Sequence, residues 1–171
     1  NYLQEAKRIT AVLSAAPVVM DAVATFASVF ENGIHSPAYE EADKHFRPRL
    51  SKHRELLELN DILLISLKGS VIFSILREND LGTNLITGRY KDGQLARAFK
   101  DFTLSQRIGV SNFSYYPPSR KPALFTLAPI LKDGSITGFI AVQLNTEKIY
   151  ALTSDYKGLG STGEILLGLK I

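Results

Sequence analysis

The stretch FTLAPILKDGSITGFIAVQL, residues 125–144, constrains the fold more than any other part of the chain. It contains two apolar runs of strand-like composition, which are joined by Lys132, Asp133 and Gly134. An Asp-Gly pair between two such runs is a strong hairpin signal, because both residues tolerate the backbone of a tight turn. Pro129 lies inside the first run, which predicts a bulge or an edge position for it. The stretch therefore predicts a long apolar β-hairpin with no obvious catalytic residue near it.

Residues 1–31 predict one long helix. Apolar side chains recur there at alternating spacings of four and three, which is a heptad stripe. Pro17 should kink the helix, and Asn32 with Gly33 should end it. Because heptad stripes are typical of associating helices, this one predicts a homodimer through the first helix. The stripe consists of Tyr2, Ala6, Ile9, Leu13, Ala16, Met20, Val23, Ala27 and Phe30.

Residues 11–30 also have the length of a transmembrane helix, and Asp21 is their only charged residue. A charge near the centre of a membrane helix costs about 2.5 to 3.5 kcal/mol on insertion scales. Pro17 and several hydroxyl side chains further weaken this alternative. A helix that packs within a folded domain is the better prediction.

Ser36 and Pro37 predict the start of a second helix that runs to residue 59 and bends at Pro48. Strands are predicted at residues 61–67 and 70–75, a short helix at 94–104, a third strand at 110–115, a helix at 146–156 and a last strand at 164–169. Consecutive hairpins favour an antiparallel sheet with helices covering a face. The sequence therefore predicts an α+β fold.

Composition excludes several kinds of function. The chain of 171 residues has no cysteine, so disulfides and thiolate metal sites are excluded. The net charge is only +3, and the basic residues alternate with acidic ones, which argues against a nucleic-acid surface. His35, His45 and His53 have no local spacing that supplies three metal ligands, so no metal is predicted.

Two further patterns carry little functional weight. The glycines of GLGSTG, residues 158–163, match a dinucleotide-binding fingerprint, but they follow a predicted helix and precede a predicted strand, which is the reverse of the required order. The aspartates at positions 80, 92, 101 and 133 fit turn chemistry, and no serine lies in a nucleophile context. We predict a protein that is not an enzyme and has no cofactor.

The segment SNFSYYPPSR, residues 111–120, places two tyrosines, three serines and an arginine just before the hairpin. Such side chains at the rim of a small sheet can orient a small polar or anionic ligand. A surface loop that is capped by aromatic residues explains the same segment equally well, and the sequence alone does not separate these alternatives.

Several segments, taken in order, resemble a Cache domain, the extracytoplasmic PAS-like sensor module of bacterial membrane receptors. They are LISLKGSVIFS at 64–74, DLGTNL at 80–85, LARAF at 95–99, SYYPPS at 114–119, API at 128–130, and GFIAVQL at 138–144. The last segment, GLGSTGEILL at 158–167, resembles the start of the second module in double-Cache sensors. The chain would then be the membrane-distal module, and the resemblance covers nearly all of it.

This resemblance implies a five-stranded antiparallel sheet in which the hairpin is central and the long helix packs on one face. The other face would line a small-molecule pocket, closed by the loops and short helix between the second and third strands. We expect a ligand between the sheet and residues 90–116. The candidate contacts are Tyr90, Arg97, Ser114, Tyr116, Arg120, Phe125 and Gln143.

One family subtype binds amino acids through an arginine followed closely by Trp-Tyr, and through an aspartate late in the last strand. This chain has no tryptophan, and Gln143 lies about where that aspartate would be. The usual amino-acid ligand is therefore not predicted. A different small polar ligand, or none, remains open.

The resemblance implies three parts: residues 1–59 with two helices, 60–153 as the PAS-like module, and 154–171 as a linker and first strand of a second module. It also implies a periplasmic or extracellular domain of a membrane-anchored receptor, with a histidine kinase, chemoreceptor or nucleotide cyclase as its output. The alternatives are a structural or dimerisation module without a ligand and, more weakly, a cytoplasmic cofactor-binding PAS domain.

Overall fold

The structure, a computed structural model, describes residues 1–105 and 107–155. The described residues form five α-helices: α1 (Tyr2–Ser14), α2 (Pro17–Val29), α3 (Pro37–Leu56), α4 (Gln94–Ser105) and α5 (Thr146–Asp155). The seven strands are β1 (Asp61–Ile65), β2 (Val71–Ser74), β3 (Gly109–Val110), β4 (Ser114–Tyr116), β5 (Lys121–Ala123), β6 (Phe125–Lys132) and β7 (Ser135–Gln143). The predicted glycine-rich turn at 158–163 and strand at 164–169 lie outside the described residues.

The predicted long helix over residues 1–31 is divided into two helices, and the kink that was predicted at Pro17 is confirmed. Its two halves, α1 and α2, meet at an angle of 66°. Pro17 causes the break, because it has no N–H to donate and its ring would clash with the carbonyl one turn earlier. It instead occupies the first turn of α2, where proline is well tolerated.

The helix α3 begins as the sequence predicts. The side chain of Ser36 accepts a hydrogen bond from the Tyr39 N–H (3.1 Å), which caps the helix, and Pro37 fills its first turn. Pro48 lies inside the helix, and α3 ends at Leu56, three residues before the predicted end at 59.

Five strands form one antiparallel sheet in the order β2-β1-β7-β6-β3. The predicted five-stranded sheet with the long hairpin at its centre is therefore confirmed. Asp133 and Gly134 form the hairpin turn with positive φ values of 51° and 81°. Pro129 pairs with β7 on one side only, since β3 reaches no further than Leu127, and a bulge follows at Ile130.

The predicted third strand at 110–115 is wrong as a single element. Only Gly109 and Val110 join the main sheet, and β4 pairs with β5 in a separate two-stranded ribbon. The chain leaves the main sheet at Ser111, whose hydroxyl accepts a hydrogen bond from the Phe125 N–H (2.8 Å). A short 3-10 helix, Pro117–Ser119, closes the ribbon above the sheet.

One face of the sheet, the helix-covered face, packs against α1, α2 and α3. Its strands contribute Ile62, Leu64, Ile72, Ala128, Ile130, Ile140 and Val142. The approach of α2 is close, because a Cβ at Gly138 would lie 2.5 Å from Cγ2 of Val23. On this face Thr10 and Thr126 bond to each other through their hydroxyls (2.6 Å).

The opposite face, the loop-covered face, packs against α4 and the loops on either side of it. It contributes Leu63, Ile65, Phe125, Leu127, Phe139 and Ala141. Phe139 makes edge-to-face contacts with Phe99 (5.1 Å between ring centroids) and Phe102 (5.6 Å) of α4. The two faces together enclose most of the apolar side chains.

The heptad stripe of the N-terminal segment faces this core. Ala6, Leu13 and Val23 are buried in the helix-covered face, and the other stripe residues pack partly buried around it. The stripe is therefore explained by packing within one chain, and by itself it no longer indicates a dimer. Among the described residues no single helix meets the length and hydropathy of a membrane span, although the bent pair α1 and α2 together would.

Candidate ligand site

A row of three side chains crosses the loop-covered face at one end of the sheet. Gln143 of β7 lies opposite Asp61 of β1 on one side and Phe125 of β6 on the other. Residues that are directly opposite in an antiparallel pair project to the same side, so these three side chains are neighbours. Asp61, Phe125 and Gln143 are fully buried.

Tyr116 covers this row from the β4–β5 ribbon. Its ring contacts that of Phe125 edge to face, with 4.8 Å between the ring centroids. Its hydroxyl donates a hydrogen bond to Oδ2 of Asp80 (2.6 Å). Asp80 lies in the loop after β2 and is 1% exposed, so this contact joins the loop to the ribbon beneath the surface.

A second polar connection runs from Gln143 outward. Its Nε2 donates to the hydroxyl of Ser119 (3.1 Å), and that hydroxyl donates to Oε1 of Glu78 (2.6 Å). Ser119 ends the 3-10 helix that follows β4, and Glu78 lies two residues before Asp80. The loop and the ribbon are thus tied together twice above the sheet.

The same region holds buried polar atoms that have no hydrogen-bond partner. They are Oδ2 of Asp61, Oδ1 of Asp80, Oε1 of Gln143 and Nδ2 of Asn60. Oδ1 of Asp61, by contrast, accepts from the N–H groups of Ile62 (2.7 Å), Ile75 (3.0 Å) and Leu76 (3.3 Å). Buried polar groups are nearly always paired in native proteins, so a cluster of atoms without a partner in the chain marks this region as the candidate site.

The carboxyl groups of this region are held in an unfavourable environment. Burial, followed by the charge of Asp80, raises the pKa of Asp61 to about 7. Burial also raises the pKa of Asp80, against the hydrogen bond from Tyr116, and the charge of Glu78 raises it further. Burial and the charge of Asp80 raise the pKa of Tyr116, which therefore stays a hydrogen-bond donor at neutral pH.

No ion pair among the described residues involves Asp61, Glu78 or Asp80. Lys121, whose strand flanks the site, donates to Oδ1 of Asn60 (2.8 Å). The three carboxyl groups therefore share a region whose negative charge has no cationic side chain paired to it.

The structure groups three of the predicted contacts: Tyr116, Phe125 and Gln143. The other four lie apart from this cluster or at the surface. Arg97 is exposed and donates to the Asp92 carbonyl (2.9 Å), and Arg120 is exposed at the left-handed end of the 3-10 helix. Ser114 is exposed, and Tyr90 lies half-buried with its ring under the Arg89 guanidinium (5.0 Å). For all seven residues, a role in ligand binding stays a prediction.

Sequence reasoning missed Asp61, Glu78, Asp80 and Ser119. One local signal for Asp61 was present, because this residue begins a strand that is otherwise wholly apolar. It served only to mark the start of the strand in the sequence analysis. Asp80 was assigned to turn chemistry. Its burial depends on Tyr116, which is 36 residues away in the sequence, and no local pattern reports such a contact.

A surface cleft of about 360 Å³ adjoins this region. It is lined by Ile34, His35, Arg77, Glu78, Asn79, Leu81 and Arg89. Glu78 belongs both to the cleft and to the hydrogen-bonded connection to Gln143. The loop of residues 77–81 is therefore the wall between the cleft and the buried polar atoms.

Comparison with known proteins gives the fold. No protein-family model and no curated protein sequence matches the chain. Among solved structures, the sensor domain of the V. cholerae histidine kinase DctB is similar, with a TM-score of 0.60, 15% identity, and coverage of 84% of this chain and 49% of that one. The E. coli DcuS sensor domain is similar with a TM-score of 0.53, 13% identity, and coverage of 86% of this chain and 91% of that one.

This chain spans about half of the DctB sensor domain and nearly all of the DcuS sensor domain. The chain thus has the PAS-like fold of these bacterial sensor domains, which is the fold that its resemblance to Cache domains implies.

Proposed function

We propose that this chain is a ligand-sensing domain of a bacterial transmembrane signalling receptor, located in the periplasm or outside the cell. The observation that carries the proposal is the set of unpaired buried polar atoms on the loop-covered face, at Asp61, Asp80 and Gln143. They lie on the face that the fold family uses for small molecules. A sensor fold with similar solved structures, including the sensor domain of a histidine kinase, supports the proposal.

The position of these atoms suits a sensor. They lie between the sheet, which is held on the other side by three helices, and a cover made of a loop and a two-stranded ribbon. The loop and the ribbon are joined to each other by Tyr116 to Asp80 and by Ser119 to Glu78, and the ribbon is joined to the sheet by the bond from Gln143 to Ser119. A ligand that replaced these contacts would change the position of the cover relative to the sheet.

The second candidate is a structural module that binds no ligand. The close packing between Phe139 of the sheet and the aromatic side chains of α4 favours it, because these rings fill much of the loop-covered face. On this hypothesis the unpaired carboxyl groups are protonated rather than occupied by a ligand.

A homodimer through the N-terminal segment also stays a proposal. Since the heptad stripe is buried within the chain, a dimer would have to use the outer surface of α1, where Val12 is 59% exposed. Val12→Glu should then abolish a dimer in analytical ultracentrifugation and leave folding intact. The division at residues 59 and 153, the membrane anchor and the output domain likewise remain predictions.

A thermal-shift screen of small metabolites, followed by calorimetry of each hit, tests the ligand-sensing proposal. We expect at least one hit whose affinity falls several-fold in Gln143→Met, which keeps the side-chain size and removes both polar atoms. Truncation to alanine is less informative, because Gln143 is fully buried and a cavity would lower stability.

Thr126→Val is the matched control, since it makes a buried polar residue apolar on the opposite face of the same hairpin. Affinity that is equal in Gln143→Met and in the control would place the ligand elsewhere. A screen without any hit would favour the structural module.

A further inference from the structure

We propose that one face of α3, the basic face, binds the surface of a lipid bilayer that contains anionic phospholipids. The helix α3 belongs to the layer on the other side of the sheet from the candidate ligand site. The inference therefore goes beyond the proposed ligand sensing and does not depend on it. The basic face consists of Lys44, His45, Pro48, Arg49, Lys52, His53 and Leu56.

An open cleft of about 670 Å³ lies along the basic face. Val18 of α2 and Pro48 form its apolar part, and all of its polar lining is basic. Lys44, Pro48, Arg49 and Lys52 are exposed, so an extended partner can reach the cleft along its whole length. The polar side chains of the lining are Lys44, His45, Arg49, Lys52 and His53.

The fold separates the charges that alternate in the sequence of α3. Arg47 packs inward, where it pairs with Asp43 (2.7 Å) and lies over the ring of Phe73 (4.8 Å). Arg54 donates a hydrogen bond to the Asn60 carbonyl (2.8 Å). These two cations are thus satisfied within the chain. The acidic residues of α3, which are Glu40, Glu41, Asp43 and Glu55, do not line the cleft.

The cations that remain on the basic face have no acidic partner. No ion pair within residues 1–105 and 107–155 involves Lys44, Arg49 or Lys52. Arg49 contacts only the carbonyl and ring of His45, one turn earlier in the same helix. Three neighbouring positive charges repel one another, and an anionic bilayer surface relieves this repulsion because it attracts each nearby lysine and arginine.

Apolar side chains continue the same face. His45, Arg49, Lys52 and Leu56 follow one another at spacings of four, three and four, so they lie along one side of α3. Leu56 is 70% exposed at the end of the helix, and Pro48 is exposed one turn after Lys44. Exposed apolar side chains among lysines and arginines are typical of helices that lie at a membrane interface.

Other anionic partners fit less well. A free phosphate would stay largely in water in a cleft this open, whereas small-molecule pockets enclose most of the ligand surface. It would also leave Leu56 uncovered. A nucleic acid requires a longer one-sided basic surface, and the net charge of the chain is only +3. A bilayer is extended, anionic at its surface and apolar beneath, which matches the shape, the charge and the apolar side chains of the basic face.

Co-sedimentation of the 171-residue chain with vesicles tests the inference. The vesicles contain phosphatidylcholine alone or equal parts of phosphatidylcholine and phosphatidylglycerol. We expect binding to the anionic vesicles at about 0.1 M NaCl and its loss at about 1 M, because the screening length falls from about 10 Å to about 3 Å. Neutral vesicles should not bind the chain.

A variant that combines Lys44→Gln, Arg49→Gln and Lys52→Gln tests the charges of the basic face. Its partition into anionic vesicles should fall at least roughly tenfold, because each of these residues contributes to the attraction. All three side chains are exposed, so the variant should keep the melting temperature of the wild type.

The matched control combines Lys91→Gln, Arg107→Gln and Lys132→Gln, which are exposed positions outside α3. Both variants lower the net charge from +3 to zero, so only the place of the lost charges differs. The control should stay within about threefold of the wild type, since charges far from the bilayer are screened.

A second pair of variants tests the apolar part. Leu56→Gln should weaken vesicle binding roughly fivefold or more, because a leucine that enters the interface loses its contact with water. Leu104→Gln, at a residue of α4 that is 88% exposed, should leave vesicle binding unchanged.

Several outcomes would overturn the inference. Equal losses in the two charge variants would mean that binding follows net charge alone, and equal binding to neutral vesicles would mean that charge plays no part. Calorimetry with inorganic phosphate, glycerol phosphate and a polyglutamate peptide covers the other occupants. If one of these binds to the basic face and anionic vesicles do not, or if no vesicle binds at all, the bilayer is not the partner.

Discussion

The two faces of the sheet are built from the same strands but differ in how completely their polar groups are paired. On the helix-covered face, the buried hydroxyls of Thr10 and Thr126 bond to each other, and Thr10 also donates to the Ala6 carbonyl (2.8 Å). On the loop-covered face, Asp61, Asp80 and Gln143 each keep one buried oxygen without a partner. The polar atoms of one face are satisfied within the chain, and those of the other are not.

The difference in pairing distinguishes a face that serves stability from a face that is a candidate for function. Folding favours paired polar groups, so a native protein keeps an unpaired buried carboxyl group only where something other than stability maintains it. The helix-covered face can be explained by packing alone. The loop-covered face cannot, which is why the candidate site belongs there.

The largest effect is expected from Phe26→Ala, which tests whether the helix-covered face carries most of the stability. Phe26 is fully buried and contacts the rings of Tyr39, Phe46 and Phe73 at 4.8 to 5.8 Å. Removing such a ring costs about 3 to 5 kcal/mol. Chemical denaturation should show this loss, and Leu104→Ala, at a residue that is 88% exposed, should show almost none. Comparable losses of unfolding free energy in Phe26→Ala and Leu104→Ala would contradict the assignment of most of the stability to the helix-covered face.

Asp61→Asn should stabilise the free protein at pH 8, because it removes a buried charge and keeps an acceptor for three backbone N–H groups. The pKa of Asp61 rises from an ordinary 3.8 to about 7 on folding, so the folded state binds the proton more tightly between these values. The free energy of unfolding of the wild type should therefore fall as pH rises from about 4 to 7, and then level off.

A shift of this size corresponds to as much as roughly 4 kcal/mol, which the variant would recover at pH 8. Denaturant titrations between pH 4 and pH 8 measure it. Asp101→Asn should keep the wild-type pH dependence. A wild type that gains stability between pH 5 and pH 7 would show that Asp61 is already paired, and the contrast between the faces would then disappear.

Gly138→Ala tests how closely α2 approaches the sheet. The added Cβ would lie 2.5 Å from Cγ2 of Val23 and 2.9 Å from the carbonyl oxygen of Ile65, which cannot move without disturbing β1. Overpacking of this kind costs about 1 to 3 kcal/mol. Gly93→Ala, where the nearest atom is 3.4 Å away, should have little effect on the melting temperature. If Gly138→Ala leaves the melting temperature unchanged, α2 packs less closely on the sheet than the structure shows.

The smallest effect concerns the threonine pair. Thr126→Val should cost about 1 kcal/mol, since it leaves Thr10 without that partner. Adding Thr10→Val should recover part of the loss, because two apolar side chains then face each other. A double-mutant cycle in denaturant measures this coupling. Additive losses would mean that the two hydroxyls are not paired with each other.

The sequence predicted the sheet well because its signals are local. The two apolar runs and the Asp133-Gly134 turn lie within 20 consecutive residues, and the structure places the hairpin at the centre of the sheet. The Ser36 cap of α3 is equally local. Pro17 was recognised as a kink, but whether a proline bends or breaks a helix depends on what each half packs against.

The candidate site was harder to predict, because its members come together only through the fold. Gln143 was chosen because the resemblance places it about where related modules carry a ligand-binding aspartate, Phe125 because it lies on the sheet face, and Tyr116 because it belongs to the segment at 111–120. Asp61 and Asp80 could not be chosen in the same way, since an aspartate at a strand end or in a loop is usually solvent-exposed. Only the register between β1 and β7 and the contact with Tyr116 reveal that both are buried.

The break at Pro17 has a mechanical consequence. A continuous helix would behave as a stiff rod, and a push at one end would be felt at the other. At the 66° bend no i to i−4 hydrogen bond from Pro17 joins α1 and α2, so each helix is held mainly by its own packing against the sheet. The N-terminal end of α1 contacts the chain two residues after Gln143, where the Asn145 N–H donates to the Tyr2 hydroxyl (3.3 Å). The first helix is therefore connected to the end of β7 directly and not through α2, which packs closely against Gly138.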